Sequence, residues 1–371
     1  MSAVSGTLQS PMQSPSLPGD GGPLPQGGAS IVQQGGAESR ADMLFALLAR
    51  GAAVFVLIML GALVVVLVTA AMPSIRAFKI HFLTSSAWRP NEREVVKRDA
   101  QGNIVRDADG EEVTVTLPPE FGALPVIYGT VVSSIIALLV AVPLSIGAAL
   151  FIVRIGPWIG VLLGPVSFLI EFLAAIPSIA YGIWGLFVLA PFLQDHLEPA
   201  LNAIAGKVFF LRIFHTDQGL TGRDMLCAGL ILAVMILPII TSLGRDVLRA
   251  VPRVQIEGSL ALGATWWQSC QVMLRYGRTG LFGAIMLGLA RAAGETMAVA
   301  MVIGNANRIS SSLFAPAQTM SSLLANEFAE ANSNIQRSAL VEVALILLVM
   351  SLLFNVVARY LIVGRSARPA V

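Results

Sequence analysis

The sequence predicts an all-α integral membrane protein with six transmembrane helices and a small β insertion in the first external loop. The chain of 371 residues is 56% hydrophobic and only 12% charged, with a mean hydropathy of +0.77. A soluble globular protein carries about 25% charged residues. A net charge of +2 and the lack of basic runs interleaved with aromatic residues argue against nucleic-acid binding.

Two parts of the chain are separated by composition. Residues 1–43 are rich in Ser, Gly, Pro and Gln, which predicts a disordered cytoplasmic tail. Residues 44–371 are predicted to form the six-helix domain, because apolar stretches long enough to cross a bilayer recur along them. The predicted spans are 51–72, 127–153, 159–192, 225–243, 281–303 and 339–363. The third is too long for one straight crossing, and Pro177 inside it predicts two half-helices.

The first external loop carries an insertion at residues 91–119. Short β-branched runs separated by Gly-Asn and Asp-Gly turns predict a small β-meander there. We favour a surface hairpin over a docking element for a binding protein.

The distribution of positive charge predicts the orientation. Arginines cluster in the loops that lie inside if the N-terminus is inside, and the external loops carry more acids. By the positive-inside rule, both termini are predicted to be cytoplasmic. The arginines of the internal side are Arg50, Arg154, Arg245, Arg249, Arg253, Arg275, Arg278, Arg359, Arg365 and Arg368.

The fifth span, Leu281–Ile303, contains two charged residues. Arg291 and Glu295 are four residues apart, which places them on one face of a continuous helix, together with Gly288. Charged groups at this depth are costly, so they are expected to face protein or a water-filled path. The alternative is a structural ion pair that neutralises itself in the helix bundle.

Several motifs give the chain a family resemblance. Glu257 and Gly263 have the spacing of the cytoplasmic coupling loop of ABC importer permeases, although Gly258-Ser259 replaces Ala-Ala and the later proline is missing. The run Gly288–Val299, including Thr-Met-Ala-Val, resembles phosphate-specific permeases of the PstC type. Further similar stretches are Phe121–Thr130, Ala174–Ser178 and Ser322–Phe328, so the resemblance covers residues 45–365.

The resemblance implies a type I ABC importer permease in the bacterial inner membrane. The expected partners are a PstA-like second permease, PstB-like ATPase subunits, a PstS-like external phosphate-binding protein and membrane lipid. The coupling loop is assigned to residues 245–280, with Glu257, Gly258 and Gly263 contacting the ATPase. No catalytic residue, metal or cofactor is expected.

The substrate path is assigned to Arg291, Glu295, Thr296 and Glu171. An arginine fork matches a tetrahedral oxyanion, and a carboxylate can accept a hydrogen bond from a phosphate hydroxyl, which sulfate lacks at neutral pH. For Glu171, a hydrogen bond to a neighbouring helix or to a carbonyl freed by Pro177 is favoured over substrate contact.

Other functions remain open at this stage. The chain has no Gly-x4-Gly-Lys-Ser/Thr loop, so ATP hydrolysis would need a separate subunit. A stand-alone anion carrier or channel is the main alternative, and a permease for sulfate or molybdate is another. A membrane enzyme is disfavoured, because no nucleophile–base or metal-ligand constellation is found.

Overall fold

The structure is a computed structural model that describes residues 40–96, 114–156, 160, 163–206, 209–216 and 219–366. The chain divides into two compact units, Met1–Leu60 and Gly61–Val371. Within the described residues, the helices are α1 (Arg40–Phe78), α2 (His81–Thr84), α3 (Leu124–Leu150), α4 (Leu163–Ala175), α5 (Ser178–Trp184), α6 (Ala190–Phe192), α7 (Glu198–Ala205), α8 (Met225–Arg249), α9 (Arg253–Ala261), α10 (Trp266–Gly294), α11 (Met297–Val302), α12 (Met320–Glu327) and α13 (Asn334–Ser366). The π-helical turns are Phe151–Ile155, Gly185–Leu189 and Leu193–Leu197, and Phe209–Phe214 is a 3₁₀ helix.

The prediction of an all-α membrane fold is confirmed. In the described part of the chain, four helices are long and apolar enough to cross a bilayer, and a bent pair makes a fifth candidate. The four are Asp42–Phe78, Leu124–Ile155, Met225–Arg249 and Asn334–Val356. The count of six spans stays a prediction. Helix α1 begins at Arg40, so the predicted tail overlaps its first turn, and residues 1–39 lie outside the described residues.

The predicted break of the third span is confirmed at Pro177. Helix α4 ends at Ala175 and α5 begins at Ser178, and the two arms are bent by 94°. Pro177 has an extended ψ of 140°. Proline lacks an N–H group and disfavours the helical conformation in the residue before it, which ends α4 here.

The core of the larger unit lies between α3, α8 and α11. Ile136 of α3, Ile231 and Ile236 of α8, and Val299 and Val302 of α11 are all buried in one apolar cluster. Burial of apolar surface away from both water and lipid fixes these helices side by side. The break after α10 therefore leads, through α11, directly into this buried cluster.

Strand pairing is present at both ends of the predicted insertion. The strands are β1 (Trp88–Arg89), β2 (Arg93–Val96), β3 (Thr114–Leu117) and β4 (Glu120–Phe121). β1 pairs antiparallel with β4, and β2 pairs antiparallel with β3. Residues 97–113, where the meander turns were predicted, lie outside the described residues, and the insertion stays a prediction.

The predicted continuous helix over Leu281–Ile303 is wrong. Helix α10 begins earlier, at Trp266, and ends at Gly294, and α11 starts only at Met297. Glu295 between them has an extended backbone, with φ −69° and ψ 130°. Apolar character over 23 residues thus predicted a membrane-embedded segment but missed the break within it.

Candidate functional site

The break between α10 and α11 is held by side-chain hydroxyls. Ser321 donates to the carbonyl of Ala293 over 3.1 Å, and the hydroxyl of Thr296 donates to the carbonyl of Gly294 over 3.2 Å. Carbonyls at a helix end have no intrahelical partner, so these two bonds stabilise the interruption. Thr296 is half-buried, and its hydroxyl is bonded to the backbone.

Glu295 lies where α11 begins. Its Oε1 atom is 3.5 Å from the backbone nitrogen of Ala298, which donates to it. Thr296 is the N-cap residue of α11, and the carboxylate of Glu295, one residue before it, satisfies a free N–H group at the helix start. Glu295 therefore does not extend the face of α10 that carries Arg291, and the predicted i,i+4 arrangement on one continuous helix is wrong.

The break nevertheless brings Arg291 and Glu295 to one cavity. The cavity has a volume of about 450 Å³ and is lined by Ile239, Leu287, Ala290, Arg291, Gly294 and Glu295. Arg291 is exposed and Glu295 is half-buried. Among the described residues, Arg291 makes no ion pair within 4.0 Å, so its guanidinium is not neutralised by Glu295.

Small residues of α10 allow it to pack closely on α8. Ala284 and Gly288 are buried, and Gly288 lies on the face that meets α8. A side-chain carbon added to Gly288 would lie 2.7 Å from Cδ1 of Ile240. Helix α10 therefore packs closely on α8 at Gly288, and the helical turn that carries Arg291 lies at the edge of this helix–helix contact.

Glu171 does not line this cavity. Its Oε1 atom lies 3.3 Å from Nη1 of Arg245 on α8, and the Glu171 side chain is 62% exposed. Arg245 also contacts Asp246 over 3.1 Å. The favoured alternative for Glu171, a hydrogen bond to a neighbouring helix, is thus what the structure contains. Arg245 is the residue that the sequence analysis missed, since it was counted only among the internal cations.

The coupling loop contains a short exposed helix, α9, in which no residue is buried. Glu257 lies in the middle of this helix. Gly263 ends it with φ +83°. The N–H of Gly263 donates to the carbonyl of Leu260 and that of Ala264 to the carbonyl of Ser259, which is a Schellman motif.

Apolar side chains around α9 face outward. Val254 and Leu262 are exposed, the latter by 91%, and so are Trp266 and Trp267 at the start of α10. Thr265 and Gln268 form a reciprocal cap that fixes this start. Large exposed apolar groups on a rigid turn mark a contact surface for protein or lipid.

A second cavity lies behind α9 and carries mostly positive charge. Its volume is about 540 Å³, and its charged lining residues are Arg154, Arg249, Arg253 and Glu257. Arg154 donates to Ser269 Oγ over 3.0 Å and lies 5.9 Å from the ring of Trp266. These contacts join the π-helical turn that follows α3 to the start of α10.

The chain belongs to the family described as "binding-protein-dependent transport system inner membrane component", whose model matches residues 141–364. With its apolar helices, this makes it a multi-pass inner-membrane protein. The particular relatives it is similar to are called "Phosphate transport system permease protein PstC". The one from Mesorhizobium japonicum is 41% identical over 336 residues, covering 88% of this chain and 91% of the relative.

Two other relatives carry similar names. PstC of Haemophilus influenzae is 39% identical, covering 84% of this chain and 89% of the relative. PstC 1 of Mycobacterium tuberculosis is also 39% identical, covering 81% and 87%. Among solved structures, an inward-facing form of the MetNI methionine ABC transporter is similar at 19% identity, with a TM-score of 0.44, covering 66% of this chain and 94% of that chain.

Proposed function

We propose that this chain is the transmembrane permease subunit of an ATP-driven phosphate importer and forms half of its translocation path. The observation that carries the proposal is the cavity at the helix break, which is lined by Glu295 and by Arg291, and Arg291 forms no ion pair with the described residues. The similarity to PstC relatives over most of the chain supports phosphate as the substrate. The chain itself is not an enzyme; ATP hydrolysis belongs to a separate subunit.

Arg291 is the proposed phosphate ligand. A guanidinium presents a rigid fork of N–H donors that matches two oxygens of a tetrahedral anion. Glu295 is proposed to accept a hydrogen bond from a phosphate hydroxyl with the oxygen that does not cap α11. Thr296 holds the break that presents both residues.

Glu171 is proposed to border the same path at a different depth. Its partner Arg245 is six residues beyond Ile239 on α8, which is about 9 Å along a helix axis. The Glu171 side chain of this pair is exposed, whereas that of Arg245 is mostly buried, so Glu171 is the partner that meets solvent or another subunit. The second permease, which is PstA-like, is proposed to supply the facing half of the path.

Helix α9 is the proposed coupling helix for PstB-like ATPase subunits. Its lack of buried residues and the exposed apolar side chains beside it suit a surface gripped by another protein. Both termini are proposed to be cytoplasmic, and a PstS-like phosphate-binding protein is proposed to dock on the external side. Phosphate uptake by the reconstituted complex, with and without the ATPase, tests the proposal; equal uptake in both would favour a stand-alone carrier.

Coupling is expected to fail in Glu257→Lys and Gly263→Pro while both chains remain inserted. Proline cannot adopt the φ of +83° found at Gly263 and would also lose the N–H that caps α9. Stimulation of ATPase activity by loaded binding protein is expected to fall about fivefold or more in each variant.

Asp42→Lys is the matched control for the charge reversal, because Asp42 is exposed on the same predicted side and lies outside the coupling loop. It is expected to keep the stimulation of the unmodified complex. Unchanged stimulation in both loop variants would show that the coupling helix lies elsewhere.

A further inference from the structure

Two carboxyl groups are buried together where α7 and α8 begin. Glu198 is the first residue of α7, Asp224 immediately precedes α8, and both are 0% exposed. Asp224 caps α8 through its Oδ1 atom, which accepts from the N–H of Cys227 over 2.8 Å. Neither residue belongs to the cavity that contains Arg291, or to the coupling loop.

Three oxygens of this carboxyl pair have no hydrogen-bond partner within the described part of the chain. They are Oε1 and Oε2 of Glu198 and Oδ2 of Asp224. No cationic side chain of the described residues forms an ion pair with either group within 4.0 Å. With so few donors around the pair, ionising both buried carboxyl groups is strongly destabilising, and the two negative charges also repel each other.

The other ionisable groups around the pair do not neutralise it. On α8, the Cys227 thiol is buried and free. In the loop before α8, His215 is bonded through its ring to Asn202. Arg223 lines a separate cavity with Gln194 and Thr221. Asp195, His196 and Arg212, on the flanking turns, are exposed.

The backbone holds the two groups close. Gly222, two residues before Asp224, has φ +65°, and a side-chain carbon there would overlap the carbonyl of Ala190. This contact draws the loop before α8 onto the segment that leads into α7. The Glu198 carboxyl is near enough to Asp224 for the two groups to interact electrostatically.

We propose that Glu198 and Asp224 form a proton-binding site that holds one shared proton at neutral pH. The proton lies between an oxygen of Glu198 and Oδ2 of Asp224, while Oδ1 keeps its bond to the Cys227 N–H. One proton thus supplies a partner for two of the three orphaned oxygens and removes one of the two negative charges. It also links the start of α7 to the start of α8.

The charge state of Asp224 agrees with this arrangement. The pKa of Asp224 is raised from 3.8 to about 8: burial is the largest cause, the Cys227 N–H bond acts against it, and the Glu198 charge acts with it. A carboxyl whose pKa is raised on folding stabilises the fold fully below its unfolded pKa, near 3.8. That stabilisation is lost as the pH rises through about 8.

Thermal unfolding of the full chain in nanodiscs, between about pH 6 and about pH 9.5, tests the site. The melting temperature of the unmodified chain is expected to fall by several degrees across this range. Glu198→Gln is expected to abolish that fall, because an amide N–H donates to Oδ2 of Asp224 at every pH. Glu92→Gln, at an exposed acid, is the matched control and is expected to keep the fall.

Infrared difference spectra between the two pH limits give a second readout that does not depend on a variant folding. The unmodified chain is expected to lose a protonated-carboxyl carbonyl band on alkalisation, and Glu198→Gln is expected to lack the band. Its absence in the unmodified chain, or an unchanged pH dependence in Glu198→Gln, overturns the proposal. If Ca²⁺ stabilised the unmodified chain but not Glu198→Gln, the proposal would also be overturned, since the pair would then hold a cation.

Discussion

Uptake of labelled phosphate is expected to fall about 100-fold or more when Arg291 is replaced with alanine. Arg291 lines the cavity at the helix break, and no carboxylate of the described residues pairs with it. Removing the guanidinium therefore removes the positive charge of this cavity without freeing a buried partner. Packing of α10 on α8, which rests on buried small residues such as Gly288, is untouched, so membrane abundance is expected to change little.

Arg291→Lys separates charge from geometry at the same position. A lysine keeps the positive charge but presents a point ammonium in place of a two-pronged donor, so it is expected to restore only a small part of the uptake. Arg50→Ala serves as the control, because Arg50 is an exposed arginine of α1 outside the residues matched by the family model. Uptake by Arg291→Ala at the rate of the unmodified chain would mean that phosphate binds elsewhere.

The parts of the fold that local chemistry dictates could be predicted from the sequence. Pro177 interrupts the third span because a missing N–H and a steric clash act within one helical turn. Gly263 ends α9 for a similarly local reason, since its left-handed φ suits a residue without a side chain. Long apolar runs predicted the membrane helices, because the length of such a run is also a local property of the sequence.

The break after Gly294 was less visible. Its signals are a glycine that can end a helix, followed by Glu295 and Thr296, which suit a new start. These signals are weak within an apolar segment. What stabilises the break is the hydroxyl of Ser321, 28 residues away in the chain, which no local pattern reveals.

Long-range pairs were beyond the sequence altogether. Arg245 and Glu171 are 74 residues apart, and Glu198 meets Asp224 only because the chain folds back between α7 and α8. A hydropathy pattern places such residues on segments but does not say which segments meet. The sequence predicted that Arg291 and Glu295 belong to one site, but it did not predict the geometry of the cavity that they line.

The second large effect is expected in the discrimination between phosphate and sulfate. Glu295→Gln is expected to let excess sulfate compete about tenfold more effectively for uptake. An amide can donate to a fully deprotonated oxyanion, whereas the carboxylate repels it. The substituted side chain would retain a carbonyl oxygen that can accept the Ala298 N–H, so the start of α11 is expected to persist.

Competition uptake of labelled phosphate against excess sulfate, with the unmodified chain and Glu295→Gln side by side, measures this discrimination. Glu295→Ala is the informative companion, because it removes both the cap and the acceptor and is expected to lower phosphate uptake itself. If Glu295 only caps α11, the glutamine variant keeps its rejection of sulfate and loses, at most, some phosphate uptake. Equal insensitivity to sulfate in the two chains would therefore leave Glu295 as a structural residue and Arg291 as the sole anion ligand proposed for this cavity.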